Sequence, residues 1–577
     1  MKLQTLLTNA KSSVKKNFRF ATLNFLFILV YINVFQSIFG AENSIVGVIF
    51  TIMMSASMAR DLTARPVKHL LVQTLVLVLM AAAACFVSNA DPLLAVPVNF
   101  LMILGILYAF TYEYVSHLYF PYILSYLFLV FISPVSPAQL PKRLLGMCVG
   151  AVSMILYQLI MGRKRVGETT RDVLIEMIGE ARECIRCLLA GEGVPKSPEQ
   201  VRESLCKLSR MVYERRKKVL CISDASFAMV DAGRGLENLV LLLYELEGPI
   251  TPGRAGLLKK IDHWLQNFEA FIECKAEMDA PLLQEDLSQE SGEAELFCQC
   301  LAYIREHLLK MTQPEERTRY RKTALSFSVR LKAAMDLCPV RCVYALRVAL
   351  LLAAGTLLTQ EFQLPHGRWL LFTVASVSLP YSDEVGAKAK KRLLATLVGG
   401  VIGMASYALI PSPTGRTAVM MLSGYASFYF EDYAATFACS TIGALGGAVF
   451  MSTFGWQDVG AMFGVRVGYI CLGILIALIA NCLIFPFSRE KATRQLCKKY
   501  VNTTELLSKI CRSEQIDPQL YYGLIIQAHL QEDKLAKNAA AEGWEGMKDV
   551  LSKCRETVRT AHRRRAKDRG SILEAAQ

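Results

Sequence analysis

The chain has 577 residues, of which 53% are hydrophobic, and its formal net charge at pH 7 is +14. This hydrophobic content over this length excludes a soluble globular protein with a single core, so part of the chain must use lipid as its solvent. The basic excess is ordinary for the cytoplasmic ends of a membrane protein, and we therefore expect no nucleic-acid partner.

The apolar residues are concentrated in two blocks, which alternate with segments rich in Arg, Lys and Glu. A helix needs about 20 mostly apolar residues to cross roughly 30 Å of hydrocarbon. We predict an all-α, polytopic membrane protein with two six-helix transmembrane halves and a cytoplasmic helical domain. The predicted segments are a cytoplasmic basic leader (1–19), an N-terminal transmembrane domain (20–162), a cytoplasmic helical domain (163–343), a C-terminal transmembrane domain (344–487) and a cytoplasmic helical tail (488–577).

Apolar runs predict six spans in each block. The predicted spans of the first block are about 20–38, 44–59, 68–88, 93–111, 118–134 and 143–162. Those of the second block are about 345–362, 368–382, 392–410, 415–431, 433–451 and 463–487. Several runs are short or contain Pro, so hydropathy sets their ends only to within a few residues.

Basic residues in the short flanks of the spans set the predicted orientation. Lys15, Lys16 and Arg19 precede the first span, and a basic stretch ending at Arg392 follows the eighth. Both termini and both soluble regions should then be cytoplasmic, in a bacterial plasma (inner) membrane. Lys142 and Arg143 are the exception, because this topology places them at the outer face. The basic amphipathic leader lacks a small-residue cleavage pattern, so we expect no cleavable signal peptide.

Seventeen cysteines are scattered through the predicted helices, which indicates a reducing compartment rather than a disulfide framework. Close cysteine pairs such as Cys184 and Cys187 lie in amphipathic helical patterns without an accompanying histidine, which argues against a metal site. The sequence also has no phosphate-binding glycine loop and no nucleophile elbow. We therefore expect neither an enzyme nor a cofactor.

The two blocks resemble each other. Arg19 lies 21 residues before Gly40, and Arg347 lies 20 residues before Gly367; an apolar span follows each glycine. This spacing predicts a parallel duplication of six spans. Within the second block, the segment at 392 resembles the segment at 466, three spans later, which predicts a nested inverted repeat of the kind found in transporters.

One stretch of the second block carries a family resemblance. It runs from Arg341 to Gly403 and contains a PHGRW turn at 365–369, a polar SDEVG loop at 382–386 and a KKR sequence before a glycine-lined span. In these features the chain resembles the fusaric acid resistance and aromatic acid exporter family. The resemblance implies efflux of aromatic carboxylic acids, and plant malate-activated anion channels are thought to share the six-span unit. The first block departs from the pattern, so the two halves are not expected to carry equal sites.

Arginines inside the predicted spans point to an anion path. A charged side chain within a span costs about 2.5–3.5 kcal/mol on insertion scales, so these arginines should face protein, water or cargo. Arg grips a carboxylate through two parallel hydrogen bonds, and Trp369 offers a ring for stacking. An alternative is that the arginines snorkel to head groups and the tryptophan is an interface anchor. The candidate substrate-binding residues are Arg347, Arg368, Trp369, Arg392 and Arg466.

Coupling to protons needs a group that titrates near the working pH. The candidates are His366, Asp383, Glu431 and Asp432. Glu431 and Asp432 are adjacent, and like charges this close can raise the pKa of one carboxyl. The alternatives are a solvated turn for the two carboxylates and a structural role for the histidine.

Small residues on one helical face let helix backbones approach closely. The glycines assigned to helix packing are Gly399, Gly400, Gly403, Gly443 and Gly447. An interface between the repeats that shifts during transport would use the same small residues.

Three hypotheses follow for the whole chain: proton-coupled efflux of organic, aromatic carboxylates, a passive anion channel, or a non-transporting scaffold or sensor. The expected partners are a small anionic substrate and a bilayer with anionic head groups, the latter contacted by the basic cluster at 562–569. A homo-oligomer and a periplasmic adaptor both stay open as further partners.

Overall fold

The computed structural model describes the chain except for residues 1, 58–65, 112–117, 162–164, 193–197, 216–220, 247–249, 279–291, 322, 324, 330–337, 411, 431, 450–455, 514–515 and 577. In the described ranges the regular elements are helices, without a β-strand. The predicted all-α, polytopic class is confirmed.

Each predicted span of the first block contains a helix. The helices are α1 (Lys2–Phe39), α2 (Ser44–Ser57), α3 (Pro66–Asn89), α4 (Pro92–Phe110), α5 (Tyr119–Phe131) and α6 (Leu140–Met161). A single 3₁₀ turn, Ala41–Asn43, connects α1 to α2. The basic leader is continuous with the first span, because α1 has 38 residues.

The second block also contains a helix at each predicted span. The helices are α13 (Pro339–Glu361), α14 (Arg368–Val377), α15 (Ser382–Leu409), α16 (Pro413–Ser427), α17 (Tyr433–Val449) and α18 (Trp456–Leu483). The largest differences from the predicted boundaries are that α13 begins six residues earlier, at Pro339, α14 ends five earlier, at Val377, α15 begins ten earlier, at Ser382, and α18 begins seven earlier, at Trp456. The SDEVG segment at 382–386, predicted as a polar loop, is therefore the start of α15. Proline and turn geometry set these ends, and α15 continues beyond its apolar stretch, which hydropathy does not record.

Seven of the described helices are long and apolar enough to cross a membrane, namely α1, α3, α4, α6, α13, α15 and α18. The other helices of the two blocks are shorter, and α14 has only ten residues. At 1.5 Å per residue, α14 is about 15 Å long, roughly half the hydrocarbon thickness.

The remaining helices lie outside the membrane blocks. They are α7 (Arg165–Ala190), α8 (Pro198–Arg215), α9 (Asp224–Tyr244), α10 (Pro252–Ile272), α11 (Gly292–Thr312), α12 (Pro314–Thr318), α19 (Arg489–Cys511), α20 (Pro518–Glu542) and α21 (Met547–Ala576). The described chain forms two compact units: one contains both membrane blocks, and the other contains α7–α12 with α19–α21.

Within the membrane unit, each block's first helix contacts the other block's fourth helix. Helix α13 packs along α4, and α1 touches α16, where the Thr22 and Tyr425 hydroxyls lie 2.9 Å apart. Such reciprocal contacts are expected when two copies of one unit pack about a pseudo-twofold axis. The packing supports the predicted six-plus-six duplication.

Candidate functional site

The short helix α14 begins inside the membrane unit, after a tight turn. Gln363 and His366 of this turn have positive φ angles of 45° and 60°, which non-glycine residues adopt infrequently. Position 367 is glycine because the turn lies close to Thr359: a Cβ at this position would be 2.6 Å from the Thr359 Cγ2 atom. The turn therefore fixes where Arg368 and Trp369 lie.

The Trp369 indole is buried and contacts two other candidate residues. The His366 ring stacks on it, with a centroid distance of 4.9 Å and an interplanar angle of 17°. The Arg466 Cζ atom of α18 lies 4.9 Å from the indole centroid. His366 and Arg466, which are far apart in the sequence, are thus brought together at the tryptophan. The face of an aromatic ring attracts a cation, so the position of Arg466 is favourable.

Arg466 has hydrogen-bonding capacity that the protein does not use. Only 4% of its surface is exposed. Its Nε and Nη1 atoms are buried and lack a hydrogen-bond partner among the described residues. Leaving a buried donor without an acceptor costs about 1–3 kcal/mol. A ligand atom that accepts from these nitrogens therefore recovers that free energy on binding.

Arg392 of α15 is the second buried guanidinium of the site. Its Cζ atom lies 4.2 Å from the centroid of the Phe437 ring of α17. Its Nε atom is also buried without a partner in the described ranges, and the Tyr433 hydroxyl lies beside the guanidinium. Sequence analysis missed Phe437 and Tyr433, although their four-residue spacing on one helix could have indicated a shared face.

Three positive charges meet here. Arg466 lies within electrostatic range of both Arg392 and Arg368. In the described part of the chain, none of the three makes an ion pair with a carboxylate. Buried like charges repel and are costly unless an opposite charge joins them. This cluster of Arg368, Arg392 and Arg466 with Trp369 and Phe437, the arginine cluster, is suited to hold an organic anion.

Arg347 has different surroundings. It is fully buried in α13, and its Nη2 atom donates to the Leu379 carbonyl at 2.7 Å. Its Nη1 atom donates to the Phe485 carbonyl at 3.3 Å. Main-chain carbonyls after α14 and after α18 therefore occupy its terminal nitrogens, whereas its buried Nε atom has no partner among the described residues. These contacts support a structural role for Arg347, and its substrate contact stays a prediction.

The carboxylates proposed for proton coupling lie at helix starts. Asp432 accepts hydrogen bonds from the Ala434 and Ala435 N–H groups at 2.8 and 3.3 Å, and Lys391 lies 3.3 Å from it. These backbone hydrogen bonds and the lysine lower the pKa of Asp432, so it is ionised at neutral pH. Asp383 accepts from the Arg489 N–H at 2.8 Å. Glu431 lies outside the described residues.

The glycines differ in what surrounds them. A Cβ at Gly399 would lie 2.8 Å from the Ala438 Cα, and one at Gly400 would collide with the Phe463 ring. The Gly403 and Gly443 positions have ordinary van der Waals neighbours, and a Cβ at Gly447 would meet none within 4 Å. Close packing at α15 therefore depends on the first two, whereas Gly447 does not take the packing position predicted for it.

One comparison with known proteins covers the range that contains this site. Residues 351–480 match a family model described as fusaric acid resistance protein-like. The inner membrane protein YccS of Escherichia coli (strain K12) is 30% identical over 89 residues, which cover 15% of this chain and 12% of that protein. No solved structure matches the chain. The matched range contains Arg368, Trp369, Arg392 and Arg466, so the resemblance to the fusaric acid resistance family is confirmed for the second membrane block.

Proposed function

We propose that the chain is a transporter of organic, aromatic carboxylate anions in a bacterial inner membrane, with both termini in the cytoplasm. The observation that carries this proposal is the arginine cluster, in which Arg466 lies over Trp369 and within electrostatic range of Arg368 and Arg392, and none of the three pairs with a carboxylate among the described residues. Transport, rather than catalysis, fits a site inside a membrane block.

The chemistry of the cluster favours a planar carboxylate. The open Nε and Nη1 atoms of Arg466 lie on different edges of the guanidinium, so each can donate a separate hydrogen bond to an anion oxygen. The rings of Trp369 and Phe437 lie next to the guanidinium groups and give the site an aromatic lining. The similarity to fusaric acid resistance proteins over residues 351–480 points to the same class of cargo.

The short helix α14 adds a second source of positive potential. Helix N-termini that begin within a membrane protein direct positive dipole ends towards anionic substrates. Arg368 and Trp369 are the first two residues of α14, so the helix start and the guanidinium groups act on the same place.

The test is flux of 4-hydroxybenzoate into proteoliposomes containing the full chain, with and without an imposed pH gradient, while membrane current is recorded. Arg466→Gln should abolish flux, and Arg466→Lys should restore little of it, because a compact, strongly hydrated ammonium cannot donate from two separate edges as a planar guanidinium does. Lys390→Gln is the matched control, since this cation is exposed on α15. Equal flux in Arg466→Gln and the control would contradict the assignment of Arg466 to the anion-binding site.

A passive anion channel is the second candidate. The observation that favours it is the lowered pKa of Asp432, which leaves this carboxylate ionised at neutral pH rather than ready to take up a proton. Current that follows voltage, without accumulation under a pH gradient, would support the channel. Accumulation that collapses with a protonophore would support proton-coupled export and direct attention to His366 and Glu431. The absence of both accumulation and current would favour the scaffold hypothesis.

A further inference from the structure

A second cation lies over an aromatic ring on the same pair of helices as Arg392. The Lys388 Nζ atom of α15 is 5.4 Å from the centroid of the Tyr433 ring of α17. Lys388 is half-buried, and in the described ranges it has no ion-pair partner. Sequence analysis treated it only as part of a basic flank.

The carboxylates near Lys388 are occupied by other cations. Glu384, one turn earlier on α15, pairs with Arg489. Asp432, next to Tyr433, pairs with Lys391 at 3.3 Å. Glu384 also lies within electrostatic range of Lys388, but in the described ranges the ammonium makes its close contact with the Tyr433 ring.

The two cation and ring pairs are in register. Lys388 and Arg392 are four residues apart on α15, and Tyr433 and Phe437 are four residues apart on α17. Residues at this spacing lie on one helix face about 6 Å apart along the axis. Because the α15 backbone at Gly399 lies against α17, the pairs form two successive steps along one helix contact.

Lys388 is the step nearer the start of α15. It lies six residues after Ser382, whereas Arg392 lies ten residues after it. An anion that approaches from this end of the membrane unit meets Lys388 before Arg392. A hydrated ammonium on a flexible stem suits capture, while a planar guanidinium suits orientation.

We infer that Lys388 and Tyr433 form a second binding station for a planar organic carboxylate, from which the anion passes to the arginine cluster. The inference rests on the proposed function, because it places a further step on the same path. Paths that conduct ions use several sites of moderate strength, so that an anion enters favourably and still leaves. Two stations about 6 Å apart satisfy this requirement.

The experiment measures 4-hydroxybenzoate flux against concentration, with the anion supplied from each side of oriented proteoliposomes that contain the full chain. Lys388→Gln should raise the half-saturating concentration about tenfold on the side of the α15 start, because one charge-assisted hydrogen bond is lost. The value on the opposite side should change by less than about twofold. Lys388→Arg, which keeps the charge, should restore the value.

Lys390→Gln is the control, because it removes an equal charge two residues away on the exposed face of α15. If wild type carries flux and Lys388→Gln behaves as this control does, the second station is overturned and the proposed function stands. An equal loss from both sides also overturns it, since that result means general damage to the path. If wild type carries no flux, the proposed function fails and the second station fails with it.

Discussion

The Arg143 guanidinium of α6 donates from Nε to the side-chain oxygen of Asn43, which lies in the turn between α1 and α2. Its Nη2 atom donates to the Glu42 carbonyl and the Ser133 hydroxyl, both at 2.9 Å, and Nη1 donates to the Ser133 carbonyl at 3.1 Å. All three of its nitrogens therefore have partners within the first block.

Arg466 occupies the sixth helix of the second block, as Arg143 does in the first, and it faces the start of that block's second helix at Trp369. The first block satisfies its arginine internally, whereas the second leaves Nε and Nη1 of Arg466 open. At this position the first block therefore offers an anion no open guanidinium. The orientation rule placed Arg143 at the outer face as an exception, but its side chain is 1% exposed and structural.

The first prediction contrasts these two arginines. Arg143→Gln should lower the free energy of unfolding by about 3 kcal/mol, because it leaves buried acceptors unpaired. Arg466→Gln should leave it unchanged or raise it, because the substitution removes a buried charge with unused donors. Thermal unfolding of the detergent-solubilised protein measures both. Equal destabilisation by the two substitutions would mean that Arg466 has a structural role.

The second prediction concerns the ring of Trp369. Trp369→Leu should reduce the ratio of benzoate flux to cyclohexanecarboxylate flux about tenfold, because the two anions share a carboxylate and differ in the aromatic face. Phe372→Leu is the control: it lies on the same helix and packs on Phe128, with centroids 5.1 Å apart. A ratio that falls equally in the control would assign the effect to helix packing.

How far the sequence could predict this site depends on the residue. Arg392 and Arg466 were found because a charge inside a span is costly, and that argument needs no contacts. The same argument selected Arg347, but it could not reveal the acceptors at Leu379 and Phe485, because these lie far along the chain. Phe437 was missed because one aromatic residue in an apolar helix resembles ordinary core. Helix positions followed from hydropathy, whereas helix ends depended on turns and prolines.

The third prediction concerns Glu532, a buried carboxylate of α20 outside the membrane unit. Burial alone would raise its pKa, but Arg202 and Arg555, with nitrogen atoms 2.9 and 2.7 Å from its Oε1 atom, hold the pKa at about 2. A folded-state pKa below the unfolded value of about 4.3 contributes about 3 kcal/mol of stability at neutral pH. That contribution is complete above the unfolded value and is lost as the pH falls towards 2.

Glu532→Gln should therefore destabilise the protein at pH 7, and the gap to wild type should narrow between pH 4.5 and pH 3. Unfolding temperatures across this range measure the gap. Glu203→Gln, an exposed change on α8, should show no such trend. A gap that stays constant with pH would contradict the stabilising role of the ionised carboxylate.

The fourth prediction separates the glycines that pack from one that does not. Gly399→Ala adds a Cβ 2.8 Å from the Ala438 Cα, and backbone cannot rotate away as a side chain can. The substitution should cost about 1–3 kcal/mol of stability and weaken flux, because α15 carries both Lys388 and Arg392. Gly447→Ala, which adds a Cβ in open space, should be neutral or slightly stabilising. Unfolding temperature and flux, measured together, decide the matter. If Gly399→Ala matches Gly447→Ala in both, then α15 and α17 have room to separate, and the register of the two cation and ring pairs does not depend on this contact.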